Sequence, residues 1–525
     1  MTMEATNLDN LLLVVILILI AFALAFIATY QQVKKLKECG SDHSVHLFLI
    51  DKIRNNGHRL FSTVPGILNE AYLGAFPLFV HYLLSFLKPD AVEKASLILN
   101  PLINAFLVVL MCLSYYFLVD KVANEDLFVV GIFVAFCPQF YHAFSARNFG
   151  ISSRPLGILL ISALVITNYL YQYYDEQFIF LVAGVFFCYL IWGSNTFSQQ
   201  TFVLSGILMG SIYSDWFILM CALISVLIFI LIHKKYALSY LFRTGLFIYT
   251  YATQIAKIYI LKQRYSIWRD LVYDIYVKLK NEPATKSIQY AYNNSILIVL
   301  FLNPFIIISI LPFNFIEEPF LVHCQNFSIC CFVLFIMTSF RCTRFLGEPE
   351  RYVEMASSFS ILVTVGLLSV IDFNIYTAVL VAYCLLLYFL QMFVVGKLKD
   401  YVGRKKNTLQ KVEEIINLSS KEKCEQVRFY SNSEDVTKMF MNNDWGFARF
   451  WSPDTKFAGY NFQSAYYQFP FYTKELSNDV LEQYKINYVV YDKNNFIDEP
   501  RNQRLNVAEK IFEDGDYLTY RLEWS

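Results

Sequence analysis

Long apolar stretches recur through the first 396 residues of the chain. Leu11 to Tyr30 carries no charged residue over about 20 positions, the number that a helix needs to cross about 30 Å of hydrocarbon. The same test finds more such windows, and it predicts a polytopic α-helical membrane protein with about 11–13 spans. The predicted spans are 11–30, 97–118, 127–143, 155–173, 177–192, 199–213, 215–233, 296–312, 319–339, 353–372 and 374–395.

The remaining segments divide the chain into a membrane part and a tail. The stretch 234–295 contains an apolar patch, Tyr240 to Ile260, followed by the amphipathic run YSIWRDLVYDIYVKLKN, and it predicts an interfacial helix or a pair of short extra spans. Residues 1–396 are therefore interpreted as a transmembrane domain with a large first loop at 31–96. Residues 397–420 are basic and polar, which predicts a linker. Residues 421–525 alternate strand-like runs (QVRFYS, INYVVYD, DYLTYRLEW) with helical ones, which predicts a soluble α/β domain.

Counting the spans places every long hydrophilic segment on one side of the bilayer, called face A. It receives the first loop, the segment 234–295 and the C-terminal domain. The opposite side, face B, receives only short connectors such as YYDEQ, YSD and FNFIEEP. The Lys- and Arg-rich runs lie on face A, so the positive-inside rule favours a cytoplasmic face A.

Composition agrees with a membrane protein and excludes some partners. Only 16% of residues are charged, against about 25% in soluble globular proteins. The net charge is zero, so nothing indicates a nucleic-acid partner. Most of the eleven cysteines lie inside apolar runs without metal or disulfide spacing, as expected of small membrane-core residues.

The first loop holds a group of ionisable residues. Asp42, His43 and His46 open a predicted short amphipathic helix, and His58 and His81 follow in the same loop. Asp42 is placed either to cap that helix or to act as a general base that takes the proton of an attacking hydroxyl. His43 and His46 would then assist it. The spacing also admits a divalent metal, although it fits no strong ligand pattern.

Arginines of later loops are candidates for binding an anion. Arg147 and Arg154 flank the turn before the span at 155–173, and a guanidinium at that depth needs a partner. A phosphate is one candidate, and a side chain that extends to the membrane surface is the other. Arg351 and Tyr352 could bind an anionic head group through the planar guanidinium. Alternatively, Arg351 pairs with Glu354 three residues along the helix.

Five short motifs of the chain, taken together with their order along it, resemble those of the GT-C superfamily of membrane glycosyltransferases. These enzymes use a sugar carried on a polyprenyl phosphate. The likeness spans nearly the whole chain, and it departs from the family in the first loop, where Asp42 is followed by His43 rather than a second acidic residue. The motifs are D-x-x-x-H-L-x-L-I-x-x-I-R-x-x-G-H (Asp42 to His58), F-P-L-x-x-H-Y-L-L (Phe76 to Leu84), S-x-R-P-L-G (Ser152 to Gly157), F-S-Q-Q (Phe197 to Gln200) and E-R-Y-V-E (Glu350 to Glu354).

The resemblance implies transfer of a sugar from a polyprenyl-phosphate donor to a hydroxyl of a glycan, lipid or protein acceptor. Asp42 would be the base, with His43 and His46 beside it. Arg147, Arg154, Arg351 and Tyr352 would bind the donor phosphate. Family members work on the extracytoplasmic face, the opposite of what the charge distribution favours.

Aromatic residues of the tail are candidates for acceptor binding, and other functions stay open. Trp445, Trp451 and Tyr460 offer apolar faces that suit sugar rings, although packing against the membrane domain is the alternative use. A transporter or flippase for lipid-linked sugars would also need many spans, but its charges are expected near mid-bilayer rather than in loops. A non-catalytic scaffold in envelope assembly is the remaining alternative.

Overall fold

The structure is a computed structural model of the chain. It describes residues 2–37, 41–60, 78–120, 122–142, 150–174, 177–250, 280, 295–311, 316–340, 343, 346, 348–371, 374–431, 433–440, 443, 445–448, 481–482, 484–493 and 508–524.

Helices form most of the described chain up to residue 423. Their positions follow the apolar windows. A segment inside hydrocarbon forms a helix because its backbone N–H and C=O groups must hydrogen-bond within the segment itself. In chain order they are α1 (Thr2–Leu36), α2 (Ser41–Asn55), α3 (Phe79–Ser85), α4 (Pro89–Leu118), α5 (Asn124–Ala135), α6 (Arg154–Tyr173), α7 (Gln177–Ser194), α8 (Thr196–Tyr213), α9 (Phe217–Thr250), α10 (Ser295–Leu302), α11 (Pro304–Ser309), α12 (Pro319–Thr338), α13 (Pro349–Ile371) and α14 (Asn374–Lys423).

Within the described residues, eight helices are long and apolar enough to cross a membrane. They correspond to eight of the predicted spans, which confirms the prediction of a multi-pass α-helical membrane protein. The eight are α1, α4, α6, α7, α9, α12, α13 and α14.

The other three predicted spans form shorter or more polar helices in the same hydrophobic core. For 127–143 the structure has the 12-residue α5 and a 3-10 turn, Pro138–Tyr141. The window 296–312 is divided into α10 and α11, because Pro304 lacks an N–H and the side chain of Asn303 caps α11 at Ile306 N, 3.2 Å away. The hydropathy windows therefore predicted where these segments lie, but the helices observed at 127–143 and 296–312 are shorter than the windows.

Small and hydroxyl side chains allow the helices of the membrane domain to pack closely. Ala21, Ala25 and Ala28 form a buried stripe on α1, and a Cβ added to Gly131 of α5 would lie 2.7 Å from the Ala21 Cβ. On α13, Ser360 donates a hydrogen bond to Ser328 of α12. This hydrogen bond joins α13 to α12 inside the core.

Two helices extend past their predicted spans. α9 has a kink at Lys234, with φ 42° and ψ −115°, and continues to Thr250. The predicted interfacial helix at 265–281 lies almost entirely outside the described residues. α14 has 50 residues, about 75 Å at 1.5 Å per residue, so more than half of it extends beyond about 30 Å of hydrocarbon. The basic segment 397–420, predicted as a linker, is part of this helix.

The C-terminal domain contains a five-stranded mixed sheet with the order β2-β1-β3-β5-β4. Its β1 is parallel to both neighbours, whereas β5 is antiparallel to β3 and β4. The strand-like runs of the sequence supply β1, β3 and β5, so the predicted α/β domain is confirmed. The elements are β1 (Arg428–Ser431), α15 (Glu434–Phe440), β2 (Gly446–Ala448), β3 (Tyr488–Asp492), β4 (Glu509–Glu513) and β5 (Tyr517–Arg521).

One hydrophobic cluster, here called the docking core, joins this domain to the first loop and to the extension of α14. Its members come from elements far apart in sequence, so the C-terminal domain packs directly on α2. The buried residues include Val45, Leu49 and Ile53 of α2, Leu409, Val412 and Ile416 of α14, and Phe429, Phe440, Tyr488 and Val490 of the C-terminal domain.

Candidate functional site

The first-loop helix α2 lies between the C-terminal domain and the membrane domain. Val45, Leu49 and Ile53 recur every four residues and face the docking core. Ile50 packs in a second cluster with Ile151 and residues of α3 and α4. Asp42 belongs to the first turn of α2, as predicted, but its side chain lies outside the described residues.

His43 connects α2 to the segment that leads into α6. Its side chain is only 6% exposed, and its Nδ1 accepts a hydrogen bond from Ile151 N at 3.3 Å. Gly150 beside it has φ +78°, and a Cβ there would lie 2.5 Å from His43 Nδ1. A glycine is therefore required for the imidazole to lie against the backbone.

Burial lowers the pKa of His43 to about 4, although the nearby Glu93 carboxylate opposes this effect. Because Nδ1 accepts a hydrogen bond, the neutral ring carries its proton on Nε2, which lies 3.8 Å from Glu93 Oε2. Lys37 pairs with the same carboxylate at 2.6 Å. His43 is thus a neutral residue that holds α2 against the membrane domain.

The other first-loop histidines join α2 to α3. His46 Nδ1 lies 2.7 Å from His81 Nε2, and the two rings stack with centroids 4.9 Å apart. His58 Nδ1 lies 2.9 Å from Ser85 Oγ. His43 and His46 therefore contact different partners, and the described residues contain no group of three or more His, Cys, Asp or Glu that could hold a metal ion.

Arg154 begins α6 and is buried at 9% exposure. Its guanidinium carbon lies 5.5 Å from the centroid of the Phe197 ring. Asn195 caps α8 by accepting a hydrogen bond from Phe197 N at 2.8 Å, so the residue that carries this ring lies in the first turn of α8. A side chain at Gly157 would overlap Ser198, so the glycine lets α6 approach the start of α8.

Arg351, at the start of α13, contacts the same ring from another helix. Its guanidinium carbon lies 5.9 Å from the Phe197 centroid. Its Nε donates to Glu348 at 2.8 Å and its Nη1 donates to Glu354 at 3.1 Å. The pairing with Glu354, one of the two alternatives drawn from the sequence, is therefore formed, and two carboxylates compensate this charge.

A buried network of polar side chains contacts Glu350, the residue before Arg351, and was not predicted from the sequence. Ser295 Oγ donates to Glu350 Oε2 at 2.6 Å, and Gln139 Nε2 donates to the Glu350 carbonyl at 3.0 Å. Asn303 then donates to Gln139 Oε1 at 2.6 Å. Polar residues within apolar windows were the available signal, but their mutual contacts depend on tertiary packing.

Several predicted residues have a different environment from the one expected or lie outside the described residues. Tyr352 is 2% exposed, and its hydroxyl donates to the Leu346 carbonyl, so this hydroxyl already has a backbone partner. Trp445 is 9% exposed and packs edge-on against Phe429 and Phe440, two rings of its own C-terminal domain. Arg147, Trp451 and Tyr460 lie outside the described residues.

Comparison with known proteins gives structural likeness alone. No family model matches the chain. No curated protein matches it either. The crystal structure of the Archaeoglobus fulgidus oligosaccharyltransferase complex with zinc and sulfate matches 89% of this chain and 68% of its own, at 15% identity and a TM-score of 0.46.

Two further solved structures are similar to a comparable degree. ArnT from Cupriavidus metallidurans, bound to undecaprenyl phosphate, matches 97% of both chains at 11% identity and a TM-score of 0.45. The archaeal oligosaccharyltransferase AglB from Archaeoglobus fulgidus, in complex with an inhibitory peptide and a dolichol-phosphate, matches 90% of this chain and 69% of its own at 13% identity and a TM-score of 0.41. Likeness at this level carries no statement about activity.

Proposed function

We propose that this chain is a membrane glycosyltransferase of the GT-C kind. It would move a sugar from a polyprenyl-phosphate donor to a hydroxyl of a glycan, lipid or protein acceptor. The observation that supports this best is the shared position of Arg154 and Arg351 over the ring of Phe197. Three motifs that carry the family resemblance, separated by long stretches of sequence, thereby meet at one boundary of the membrane domain.

Arg154 is the residue proposed to hold the donor phosphate. Its charge is buried against an aromatic ring at the start of a span, where a charge-assisted contact to a phosphate oxygen is stronger than in water. Arg351 is compensated by Glu348 and Glu354, so we assign it a positioning role beside the same ring. Arg147 remains a prediction for the same phosphate.

Asp42 is the proposed general base. The residue next to it, His43, contacts Gly150 and Ile151, a few residues before Arg154, so the start of α2 lies near the start of α6. In the proposed step the acceptor oxygen attacks the sugar carbon and its proton passes to the Asp42 carboxylate. The bond from that carbon to the phosphate oxygen breaks, and the polyprenyl phosphate leaves with the electron pair beside Arg154.

A pair of matched substitutions tests the base. Asp42→Asn is expected to lower transfer at least about a hundredfold while donor binding changes little, because the amide cannot accept the proton. Asp51→Asn is the control, since Asp51 is an exposed aspartate on the same helix that pairs with Arg54. Purified full-length protein would be incubated with a panel of polyprenyl-phosphate sugars, and transfer and donor binding would be measured separately.

The same assay tests the phosphate contact and separates the alternatives. Arg154→Gln is expected to weaken donor binding about tenfold or more, whereas the exposed Arg404→Gln is not. Transfer is expected to survive a chelator, because His43 and His46 each contact another group. If the protein is a scaffold, Asp42→Asn and wild type should show the same transfer and the same donor binding. If it is a flippase, the intact donor should cross the membrane without cleavage. Either result would overturn the proposal.

Trp451 and Tyr460 remain predictions for acceptor contact. Trp445 is left out of this proposal because its ring is enclosed by Phe429 and Phe440. We also propose that face A, which carries this site and the C-terminal domain, is extracytoplasmic. The concentration of Lys and Arg on that face would then reflect binding to an anionic donor rather than orientation.

A further inference from the structure

A cavity lies at the opposite end of the helices that carry the proposed donor site. α6 and α8 start near Arg154 and Phe197, and their other ends, at Tyr173 and Tyr213, line a cavity of about 590 Å³. The 20 residues of α6 span about 30 Å, so the two sites lie near opposite faces of the membrane domain. The short YSD connector at 213–215, expected to be a plain turn, forms one wall of this cavity.

Aromatic rings supply much of the wall. Tyr171 of α6 packs against Phe217 of α9 with ring centroids 4.6 Å apart. Tyr173 and Trp216 are about half exposed at the rim. Among the described residues that line the cavity there is neither Lys nor Arg. The lining therefore disfavours an anion and offers ring faces, whose negative quadrupole attracts cations.

Asp215 is the acidic residue of this lining, and it is buried at 9% exposure. Its Oδ2 accepts a hydrogen bond from Asn168 at 2.5 Å, and its Oδ1 accepts one from Phe217 N at 3.2 Å. Both donors are neutral, and within the described part of the chain no Lys or Arg forms an ion pair with this carboxylate. Each oxygen retains capacity for a further donor.

The cavity lining also contains His323, whose imidazole ring is buried. Its Nε2 lies 3.3 Å from the carbonyl oxygen of Val165 and donates to it. The imidazole is thereby held toward the backbone of α6. The ring also interacts electrostatically with Asp215, which is the carboxylate among the described residues of the lining.

We propose that this cavity binds a ligand bearing an organic ammonium group, with Asp215 as its counter-charge and the rings of Tyr171, Tyr173, Tyr213, Trp216 and Phe217 around it. A buried carboxylate without a cationic partner is costly, and a ligand cation offsets that cost. Aromatic walls complement an ammonium carrying methyl or methylene groups, because these rings provide both apolar contact and cation–π attraction. The ammonium could belong to a soluble amine or to a lipid headgroup, since the cavity lies near the membrane boundary.

Two ordinary roles account for parts of this arrangement. Asp215 caps α9, and Tyr and Trp are common at membrane boundaries. Capping of α9, however, needs only one oxygen of the Asp215 carboxylate. Aromatic residues that anchor a protein at the membrane interface would face lipid rather than a shared cavity. Neither role requires the carboxylate and the rings to line the same space.

Binding of choline to purified full-length protein tests the proposal. Choline is compared with 3,3-dimethylbutan-1-ol, its uncharged isostere of nearly the same shape. Wild type is expected to bind choline at least about tenfold more tightly than the isostere, and Asp215→Asn is expected to lose this preference. Glu317→Gln is the control, because Glu317 is an exposed acidic residue two positions before α12, the helix that carries His323.

A second arm distinguishes the lipid source. Protein in nanodiscs of mixed phosphatidylcholine and phosphatidylglycerol would be recovered and its retained lipids quantified. Enrichment of phosphatidylcholine that is lost in Asp215→Asn supports the lipid source, and choline binding without that enrichment supports the soluble one. Tyr173→Leu, at an exposed rim position, is expected to weaken whichever ligand binds. Equal binding of choline and its isostere, together with no lipid enrichment, would overturn the proposal.

Discussion

Ionisable side chains at the boundary of the membrane domain are accommodated in three different ways. Arg351 is compensated by the carboxylates of Glu348 and Glu354. Arg154 is buried with its guanidinium over the ring of Phe197. His43 stays neutral and accepts a backbone hydrogen bond instead. Of the two arginines over Phe197, Arg154 is the one we assign to ligand binding, because it begins α6 within the S-x-R-P-L-G motif, beside the residues that His43 of α2 contacts.

The neutrality of His43 predicts a pH dependence of stability. The pKa of His43 is lowered from 6.5 to about 4 by burial, with Glu93 opposing and His46 and Lys37 adding smaller lowering effects. Above pH 6.5 the ring is neutral in both states, so its contribution is fully present. Between pH 6.5 and 4 only the unfolded chain binds the proton, so stability falls as pH falls, by about 3 kcal/mol in all.

Thermal unfolding of the full-length protein between pH 8 and pH 4 measures this effect. His43→Gln keeps a polar side chain of similar reach but has no titrating ring. The apparent Tm of wild type should therefore fall more steeply below pH 6.5 than that of His43→Gln. If the apparent Tm of the two proteins fell in parallel as pH is lowered, protonation of His43 would not contribute to the pH dependence of stability.

At the scale of elements, α2 and the extension of α14 form a single support for the C-terminal domain. Leu409, Val412 and Ile416 follow one face of α14 and are buried in the docking core with Val45 and Leu49 of α2. Lys405 adds an ion pair with Asp492 of β3 at 3.9 Å. The proposed base is thus on a helix that the C-terminal domain covers directly, so displacement of that domain is expected to disturb the site.

Substitution of Val412 tests this dependence. Val412→Asp places a charge in the docking core and is expected to cost about 3 kcal/mol or more of docking free energy. Limited proteolysis should then release a fragment of the tail much faster than in wild type. Gln410→Asp introduces the same charge at an exposed position two residues away and should change nothing. Equal protection of both variants would show that the domain is held by other contacts.

At the scale of the whole molecule, two candidate sites occupy opposite ends of one helical domain. The proposed donor site lies where α6, α8 and α13 begin, and the aromatic cavity lies where α6 and α8 end. Their relation to the two sides of the cell membrane depends on the orientation of face A. The family resemblance and the distribution of basic residues favour opposite orientations.

Cys424 provides a direct measurement of that orientation. It is the exposed member of the free cysteines among the described residues, and it lies at the end of α14 on face A. If face A is extracytoplasmic, a membrane-impermeant maleimide should label Cys424 in sealed vesicles whose cytoplasmic side faces inward. Cys424→Ser identifies labelling at other cysteines. Labelling that appears only after the vesicles are opened would assign face A to the cytoplasm.

From the amino-acid sequence alone we could predict the membrane class, the positions of the apolar segments and three strands of the C-terminal sheet. These properties depend on local windows, since transfer of about 20 apolar residues into hydrocarbon, or alternation over a few residues, is decided within the segment itself. The sequence also indicated Arg154 and Arg351 as candidates and named the Arg351–Glu354 pair as one of two alternatives.

Which residues share a neighbour became known from the three-dimensional structure. The ring of Phe197 contacts two arginines, His43 lies against Gly150, and the YSD connector lines a cavity that includes Asp215. The physical reason is that each contact joins side chains separated by tens to hundreds of residues. Their proximity depends on how helices pack through small residues such as Gly157, and no local pattern in the chain encodes that distance.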